Sequence, residues 1–433
     1  MNTPGRAPRR LKLGWCLAAI PACAQTISAG GDSTVDAGHD LGSPVLVDVH
    51  LPDTTAEVAT AADGTASADA AVPCDTPACR QQALDLHVAR SRAMIRLADG
   101  RTLGWGHDEG LAMGQGDFRL GPRAVAIPAA SHLYIGTFVD CRIDPDHSLW
   151  CWGTDGLALT YTNTRPSRRG PETARRVMSE VRDVAVRNAA LCAVRLSGHV
   201  DCIGNNAGWA VDAELADSLL STAVPALGVS GVTRMSEGID TTETFCALSD
   251  RATYCWGPVP HALFWRGAPS GSTPQLLPAW QGATRLVAAV LSCSLDLRGA
   301  LGCAGGRVDA VTGALQREPS VWARTRVEMQ GVPRMTDLTI GGSLCTVDVD
   351  GRVWCGGYNE LGQSGVGSTE AWASFQPVSL PEAAEQVRCG ATFCCARTRS
   401  GQVWCWGDNR EGQLGRPSTT LERSLVPIRV TWD

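Results

Sequence analysis

Residues 395–415 read CARTRSGQVWCWGDNREGQLG, and the two cysteines of this segment, Cys395 and Cys405, lie ten positions apart. An even separation places both side chains on one face of a hairpin. The midpoint is residue 400, and Gly401 follows it, where a three-residue hairpin loop favours glycine. Directly opposed residues of antiparallel strands lie about 4.5–5.5 Å apart at Cα, within reach of a disulfide. The segment therefore predicts a hairpin joined across its strands by a disulfide.

The same pairing of cysteines recurs along the chain, and five of the six pairs have a separation of ten while one has a separation of nine. Zinc sites favour cysteines two to four residues apart that meet further cysteines or histidines, so we predict structural disulfides and no metal site. Cys74 and Cys79 predict one more local disulfide, and the sequence leaves open whether Cys389 and Cys394 form another. The six hairpin pairs are Cys141 with Cys151, Cys192 with Cys202, Cys246 with Cys255, Cys293 with Cys303, Cys345 with Cys355, and Cys395 with Cys405.

An additional copy without cysteines precedes these six. Residues 94–106 align without a gap with residues 395–407, and Met94 and Gly104 replace the two cysteines. The copies begin at residues 94, 141, 192, 246, 293, 345 and 395. Seven copies at intervals of about fifty residues predict a propeller or a solenoid.

The best copy ends in Trp406-Gly-Asp-Asn-Arg-Glu-Gly-Gln-Leu-Gly415, and copy six keeps most of this tail as Tyr358-Asn-Glu-Leu-Gly-Gln363. The repeat resembles the regulator of chromosome condensation repeat over about residues 84–433. That resemblance implies an all-β fold, a seven-bladed β-propeller with one four-stranded sheet per repeat. We expect residues 426–430 to pair beside residues 84–88 and close the ring. Tryptophans recur at one register, and we predict that they pack between blades: Trp105, Trp152, Trp256 and Trp406.

The amino terminus predicts export. Arg6, Arg9, Arg10 and Lys12 precede a short apolar run and then small residues, which is typical of a secretory signal in residues 1–23. Two cleavages compete: a lipobox that would make Cys23 a lipidated terminus, and ordinary cleavage with free secretion. Residues 24–80 contain nine acidic residues and no Phe, Trp or Tyr, so they predict a disordered linker before a propeller at 81–433.

Composition and motifs limit the function classes. Gly (47) and Pro (24) are abundant and aromatic residues are 6%, which suits turn-rich β structure and excludes coiled coil and collagen. The net charge of -6 gives no reason to expect nucleic acid as a partner. No catalytic or phosphate-binding motif appears, so we predict no enzyme activity and no cofactor.

Four aromatic residues in long stretches after the hairpins are the candidate partner-binding residues: Trp209, Phe264, Trp265 and Trp322. Variable loops on a rigid scaffold are where binding usually resides, and aromatic residues dominate interfaces. We predict a monomeric, lipid-anchored propeller that binds an unknown protein at the cell envelope, with the membrane reached only through the anchor. Two alternatives stay open. One is a secreted enzyme inhibitor or carbohydrate-binding surface protein, and the other is an envelope enzyme with a central cluster of carboxylates or histidines.

Overall fold

A computed structural model describes residues 76–108, 113, 118–128, 130, 132–153, 170–187, 190–205, 219–226, 228–238, 244–257, 271–289, 291–310, 312–317 and 322–432. Within these ranges, 28 strands form seven antiparallel sheets, each of four consecutive strands. The prediction of a seven-bladed all-β propeller is confirmed. The predicted signal sequence and most of the predicted linker lie outside the described residues.

Helical structure is scarce in the described ranges. One turn, α1 (Pro77–Arg80), falls at the end of the segment predicted as linker, and Thr76 caps it by accepting a hydrogen bond from the Cys79 N–H. Single 3₁₀ turns cover Phe118–Leu120, Pro171–Thr173 and Pro278–Trp280. None of the helices among the described residues is long and apolar enough to cross a membrane.

The blades follow the order of the chain. Blade 1 consists of β1 (Ala83–Val88), β2 (Arg92–Leu97), β3 (Thr102–Gly106) and β4 (Arg123–Val125), and blade 2 of β5 (His132–Ile135), β6 (Val139–Ile143), β7 (Leu149–Gly153) and β8 (Arg175–Met178). Blade 3 consists of β9 (Val181–Val186), β10 (Ala190–Arg195), β11 (Val200–Asn205) and β12 (Leu219–Pro225), and blade 4 of β13 (Arg234–Met235), β14 (Phe245–Leu248), β15 (Thr253–Gly257) and β16 (Gly271–Leu276). Blade 5 consists of β17 (Ala283–Val287), β18 (Ser292–Asp296), β19 (Leu301–Asp309) and β20 (Trp322–Glu328), and blade 6 of β21 (Met335–Ile340), β22 (Ser343–Asp348), β23 (Val353–Tyr358) and β24 (Trp372–Val378). Blade 7 consists of β25 (Ala384–Cys389), β26 (Phe393–Thr398), β27 (Val403–Asp408) and β28 (Arg423–Arg429).

First strands of neighbouring blades contact one another, so they surround the propeller axis. Because the second and third strands are joined by a tight turn, all these turns lie on one face of the ring, which we call the turn face. All third strands end on the opposite face, which we call the loop face, and the connections to the fourth strands start there.

The hairpin cysteines stand directly opposite each other in blades 2 to 7, and the Cα–Cα distances within the pairs are 4.0–4.2 Å. At the turn of blade 7, Gly401 has φ 76, the left-handed conformation that the spacing predicts. The structure joins all six predicted pairs: Cys141 is bonded to Cys151, Cys192 to Cys202, Cys246 to Cys255, Cys293 to Cys303, Cys345 to Cys355, and Cys395 to Cys405.

The remaining cysteine assignments have different outcomes. A seventh bond joins Cys389 to Cys394 across β25 and β26, which answers the question that the sequence left open. Cys79 is disulfide-bonded, but Cys74 lies outside the described residues, and so does the lipidation candidate Cys23. The bond between Cys74 and Cys79 and the lipidation of Cys23 therefore stay predictions.

Blade 1 has apolar packing where the other blades have a disulfide. Met94 lies opposite Gly104, as the alignment of the copies predicts. The side chain of Met113 covers Gly104, and a Cβ atom at Gly104 would come 2.5 Å from the Met113 Sδ and 3.0 Å from a methyl of Val125. Glycine therefore makes room here for a side chain from the following connection.

The expected pairing of residues 426–430 with residues 84–88 is wrong. The first of these segments lies in β28, which pairs with β27, and the second lies in β1, which pairs with β2. Every sheet already has four strands from its own repeat, so no sheet lacks a strand that the other terminus could supply. The ring closes instead by side-chain packing of β1 against β25 and β26, with Leu86 and Phe393 in one buried cluster.

The recurring tryptophans are buried, as predicted. Trp105, Trp256 and Trp406 are at most 1% exposed. The indole Nε1 groups of Trp105 and Trp406 donate to backbone oxygens in the tails of other repeats. The tail motif and the tryptophan register are therefore parts of one inter-blade packing arrangement.

Candidate functional site

Seven polar residues occupy one equivalent position on the first strands, each directly before a buried apolar residue. This position projects toward the axis, where the first strand of each blade is an edge strand with unpaired backbone groups. Buried backbone groups require partners, so polar side chains are expected at such a position. We call this set the axial ring: Asp85, His132, Asp183, Arg234, Arg285, Asp337 and Gln386.

Three members of the axial ring accept a hydrogen bond from a backbone N–H of the next blade. Asp183 accepts from Met235 at 2.7 Å, and Asp337 accepts from Val387 at 2.8 Å. Gln386 accepts from Leu86 at 3.0 Å across the closing point of the ring. Acceptors at the axial ring therefore hold neighbouring first strands together.

A cluster of charges from blades 4 to 7 fills one side of the axis. Arg285 Nη1 lies 2.8 Å from carboxylate oxygens of both Glu237 and Asp337. Arg388 Nη1 lies 2.7 Å from Asp337, and its Nη2 lies 3.8 Å from Glu237. Blades 4 and 7 are not neighbours, so the contact between Glu237 and Arg388 bridges residues across the axis.

The charges of this cluster determine its protonation. Burial by itself would raise the pKa of Glu237, but Arg388 and Arg285 outweigh it and hold the pKa below its usual value. Burial would likewise lower the pKa of Arg388, but Asp337 and Glu237 raise it. Both groups are therefore charged at neutral pH.

On the other side of the axis, from blades 1 to 3, the carboxylates have a histidine and a tyrosine as their side-chain partners. His87 Nε2 lies 2.9 Å from Asp85, and the Tyr134 hydroxyl donates to Asp183 at 2.7 Å. Burial raises the pKa of Asp183, and the bonds from Met235 and Tyr134 offset only part of that effect. Burial also lowers the pKa of His132, despite the nearby carboxylates of Asp183 and Asp85. The axis therefore contains carboxylates, histidines and a tyrosine in close proximity.

A second candidate site, the aromatic surface, lies on the loop face of blades 5 and 6 and consists of Tyr358, Trp372, Arg307 and Arg317. Tyr358 is 48% exposed and stands opposite Trp372 at the ends of β23 and β24. The Arg307 guanidinium lies 5.4 Å from the centre of the Trp372 ring, and it also donates to the Arg317 backbone oxygen. Aromatic and arginine side chains of this kind are typical of protein interfaces.

The structure does not test the partner-binding residues predicted from the sequence. Trp209, Phe264 and Trp265 belong to connections between third and fourth strands, and they lie outside the described residues. Trp322 begins β20, and its side chain is not described. The role of all four therefore stays a prediction.

Sequence reasoning missed the axial ring, although the repeat register contains a signal for it. Most ring residues lie eight or nine positions before the first cysteine of their hairpin, or before Met94 in blade 1. Arg234 lies twelve positions before Cys246, because blade 4 has a longer turn after its first strand. Alignment of the copies at an offset of eight or nine therefore finds the ring residue in every blade except blade 4.

The comparisons with known proteins agree with this architecture. Two family models of the regulator of chromosome condensation (RCC1) repeat match the chain, one over residues 384–413 and the other over residues 400–433. No curated protein matches the chain significantly.

Two solved structures are similar in fold. Prp20p from Saccharomyces cerevisiae, described with its binding to Gsp1p and histones, is 13% identical with a TM-score of 0.63, covering 82% of this chain and 88% of its own. Human WBSCR16 is 18% identical with a TM-score of 0.58, covering 77% of this chain and 94% of its own. With seven four-stranded sheets, the RCC1 repeat in its last blade and this likeness in fold, the chain is an RCC1-like seven-bladed β-propeller.

Proposed function

We propose that this propeller is an exported scaffold, lipid-anchored through Cys23 at the outer membrane or cell surface, which binds a protein partner through its loop face. The observation that carries the proposal is the aromatic surface, where Tyr358 is 48% exposed on the loop face. The connections of blades 3 and 4, to which Trp209, Phe264 and Trp265 belong in the sequence, follow third strands that end on the same face. Partner binding is also described for Prp20p, which has been solved bound to Kap60.

Export is supported by the cysteines and by the amino terminus. Seven disulfides in residues 141–405 require an oxidising compartment to form and persist. The basic segment and apolar run before Cys23 are typical of a signal that would deliver the chain there.

Carbohydrate binding is a weaker candidate at this surface. Sugar rings stack on exposed aromatic faces, whereas the Arg307 guanidinium lies over the ring of Trp372. An arginine stacked on tryptophan suits contact with protein carboxylates and amides better.

One observation favours a catalytic role as a second candidate, because carboxylates and histidines do converge at the axis. The oxygens of Asp183 accept hydrogen bonds from Tyr134, Val184 and Met235, so they already serve the packing of the blades. A general base needs an oxygen that can reach a substrate proton. We therefore place binding ahead of catalysis.

The test is cross-linking capture from the native envelope with the full mature chain as bait, comparing Tyr358→Ala and Trp265→Ala with wild type. We expect a saturable protein partner whose recovery falls at least several-fold in both variants. Leu297→Ala is the matched control, since Leu297 is 82% exposed on the turn face. Equal recovery in all four chains, or equal loss in the Leu297 variant, would contradict the loop-face proposal.

A further inference from the structure

Glu237 is surrounded by arginines from three blades. Arg285 lies 2.8 Å from one carboxylate oxygen, and Arg388 lies 3.8 Å from the other. Arg234, three residues earlier in the same blade, adds to the positive field at this carboxylate. The three arginines lie near the carboxylates of Glu237 and Asp337, and the charges of Asp183 and Asp85 also act on Arg234 and Arg388 respectively.

Arg234 differs from the other two arginines of the cluster in its bonding. Its guanidinium makes no hydrogen bond and no ion pair with any residue in the described part of the chain, although it is partly buried. The equivalent Asp183 and Asp337 accept a backbone N–H from the next blade, which an arginine cannot do, because it has only donors. Its five N–H donors therefore have no acceptor among the described residues, although its charge acts on Asp183 and Glu237.

The side chain of Glu237 reaches solvent, although its Oε1 accepts a hydrogen bond from Arg285 at 2.8 Å and its backbone N–H donates to the Leu286 oxygen. Its side chain is 39% exposed, whereas that of Asp337 is 3% exposed. It follows the end of β13 and forms an isolated backbone bridge to Val287 in β17, and its Oε2 lies 3.8 Å from Arg388 Nη2. The bridge to β17 uses only backbone atoms of Glu237, so its carboxylate is not part of the strand pairing.

We propose that this side of the axis is a binding site for a carboxylate group, and that Glu237 is an internal carboxylate which occupies the site when no ligand is bound. The ligand carboxylate would pair with Arg234 and share Arg285 and Arg388 with Glu237 or displace it. Arginine pairs with carboxylates through two parallel hydrogen bonds, which suits a planar carboxylate group. This inference does not depend on the loop face, so either proposal can fail alone.

The test is a ligand-observed NMR titration of the full mature chain with N-acetylglycine, with the uncharged N-acetylglycinamide as the matched ligand control. We expect Glu237→Gln to bind N-acetylglycine about fivefold more tightly, because the competing charge is gone. Arg234→Gln should bind it about fivefold more weakly. Arg176→Gln, which changes an exposed arginine on the outer strand β8, should bind it as wild type does.

Two results would overturn the proposal. One is Glu237→Gln binding no more tightly than wild type while its thermal unfolding midpoint shows it folded. The other is Arg234→Gln binding as Arg176→Gln does. Because Arg234 makes no hydrogen bond or ion pair in the described structure, its variant tests the site even if Glu237→Gln fails to fold. A titration with end-blocked Ala-Ala-Glu-Ala-Ala, with its Gln counterpart as the uncharged control, distinguishes two sources of the ligand carboxylate. If this peptide binds more tightly than N-acetylglycine, the ligand is a protein side chain. If it binds more weakly, the ligand is a small free carboxylate.

Discussion

The indole Nε1 of Trp406 donates a hydrogen bond to the backbone oxygen of Gln363, 3.0 Å away in the tail of the preceding repeat. Trp105 makes the equivalent bond to Gln413 at 2.9 Å, although 308 residues separate the two. The same contact thus joins blade 6 to blade 7 and blade 7 to blade 1. The ring is therefore closed by repeat-to-repeat packing.

Trp406→Phe should lower the free energy of unfolding by about 1–3 kcal/mol, because it leaves the buried oxygen of Gln363 without its donor. Urea denaturation measures the change. Trp404→Phe, two residues earlier in β27, is the matched control, because the Trp404 Nε1 has no hydrogen-bond partner in the described structure. We expect less than about 0.5 kcal/mol there. Equal losses in the two variants would contradict a role for the hydrogen bond.

Asp140→Ala should destabilise the protein by about 3–5 kcal/mol, because it removes the main partner of Arg92 and leaves that charge buried. Both side chains are at most 2% exposed, and two hydrogen bonds of 2.9 and 2.5 Å join blade 1 to blade 2. A double variant that combines Arg92→Met with Asp140→Leu should recover most of the loss in the same urea experiment. A double variant as unstable as the single one would argue against charge burial as the cause.

Stability should fall in acid partly through Asp85. Burial alone would raise the pKa of Asp85, but His87 and Gln386 outweigh it and hold the pKa well below its usual value. A carboxyl group with a lowered folded-state pKa stabilises the fold above its unfolded pKa of about 3.9, and this contribution is lost as the pH falls further. Asp85→Asn should therefore lower stability at pH 7 and flatten the loss below about pH 4. Urea midpoints between pH 2.5 and 7 measure this, and Asp350→Asn, at a 65% exposed side chain, should keep the wild-type slope.

Removal of one hairpin disulfide, by Cys192→Ala together with Cys202→Ala, should cost about 2–3 kcal/mol, because the bond closes a short loop in the unfolded chain. The same urea assay on oxidised protein measures it. Leu196→Ala in the exposed turn of this hairpin should change stability by less than about 0.5 kcal/mol. Free thiols at the six hairpin pairs in the mature protein, found by non-reducing mass analysis, would contradict both the disulfides and export.

Cys23→Ser should release the mature protein from the membrane fraction and abolish labelling by a radioactive fatty acid. A lipid chain is attached to the first cysteine after a lipobox, and the hydroxyl of serine does not replace that thiol. Cys16→Ser, within the predicted signal sequence, is the control and should stay membrane-bound. Release of wild type and both variants alike would favour free secretion.

The sequence by itself determined the parts of this fold that local geometry controls. Cys395, Cys405 and Gly401 specify a hairpin within eleven residues, and repetition of that pattern at about fifty residues specifies seven blades. The register was readable even in blade 1, where Met94 and Gly104 replace the cysteines and still lie directly opposite. Local patterns suffice here because strand pairing, turn geometry and disulfide reach all act over a few residues.

Only the tertiary structure decided what meets at the axis and how the ring closes. Arg388 and Glu237 are far apart in the chain, and no local pattern states that their blades face each other across the axis. The sequence suggested strand exchange between residues 84–88 and 426–430, yet each sheet is complete and β1 packs against blade 7 through side chains. The physical reason is that charge pairing and side-chain packing depend on distances in space, which the closed ring sets once all seven blades are in place.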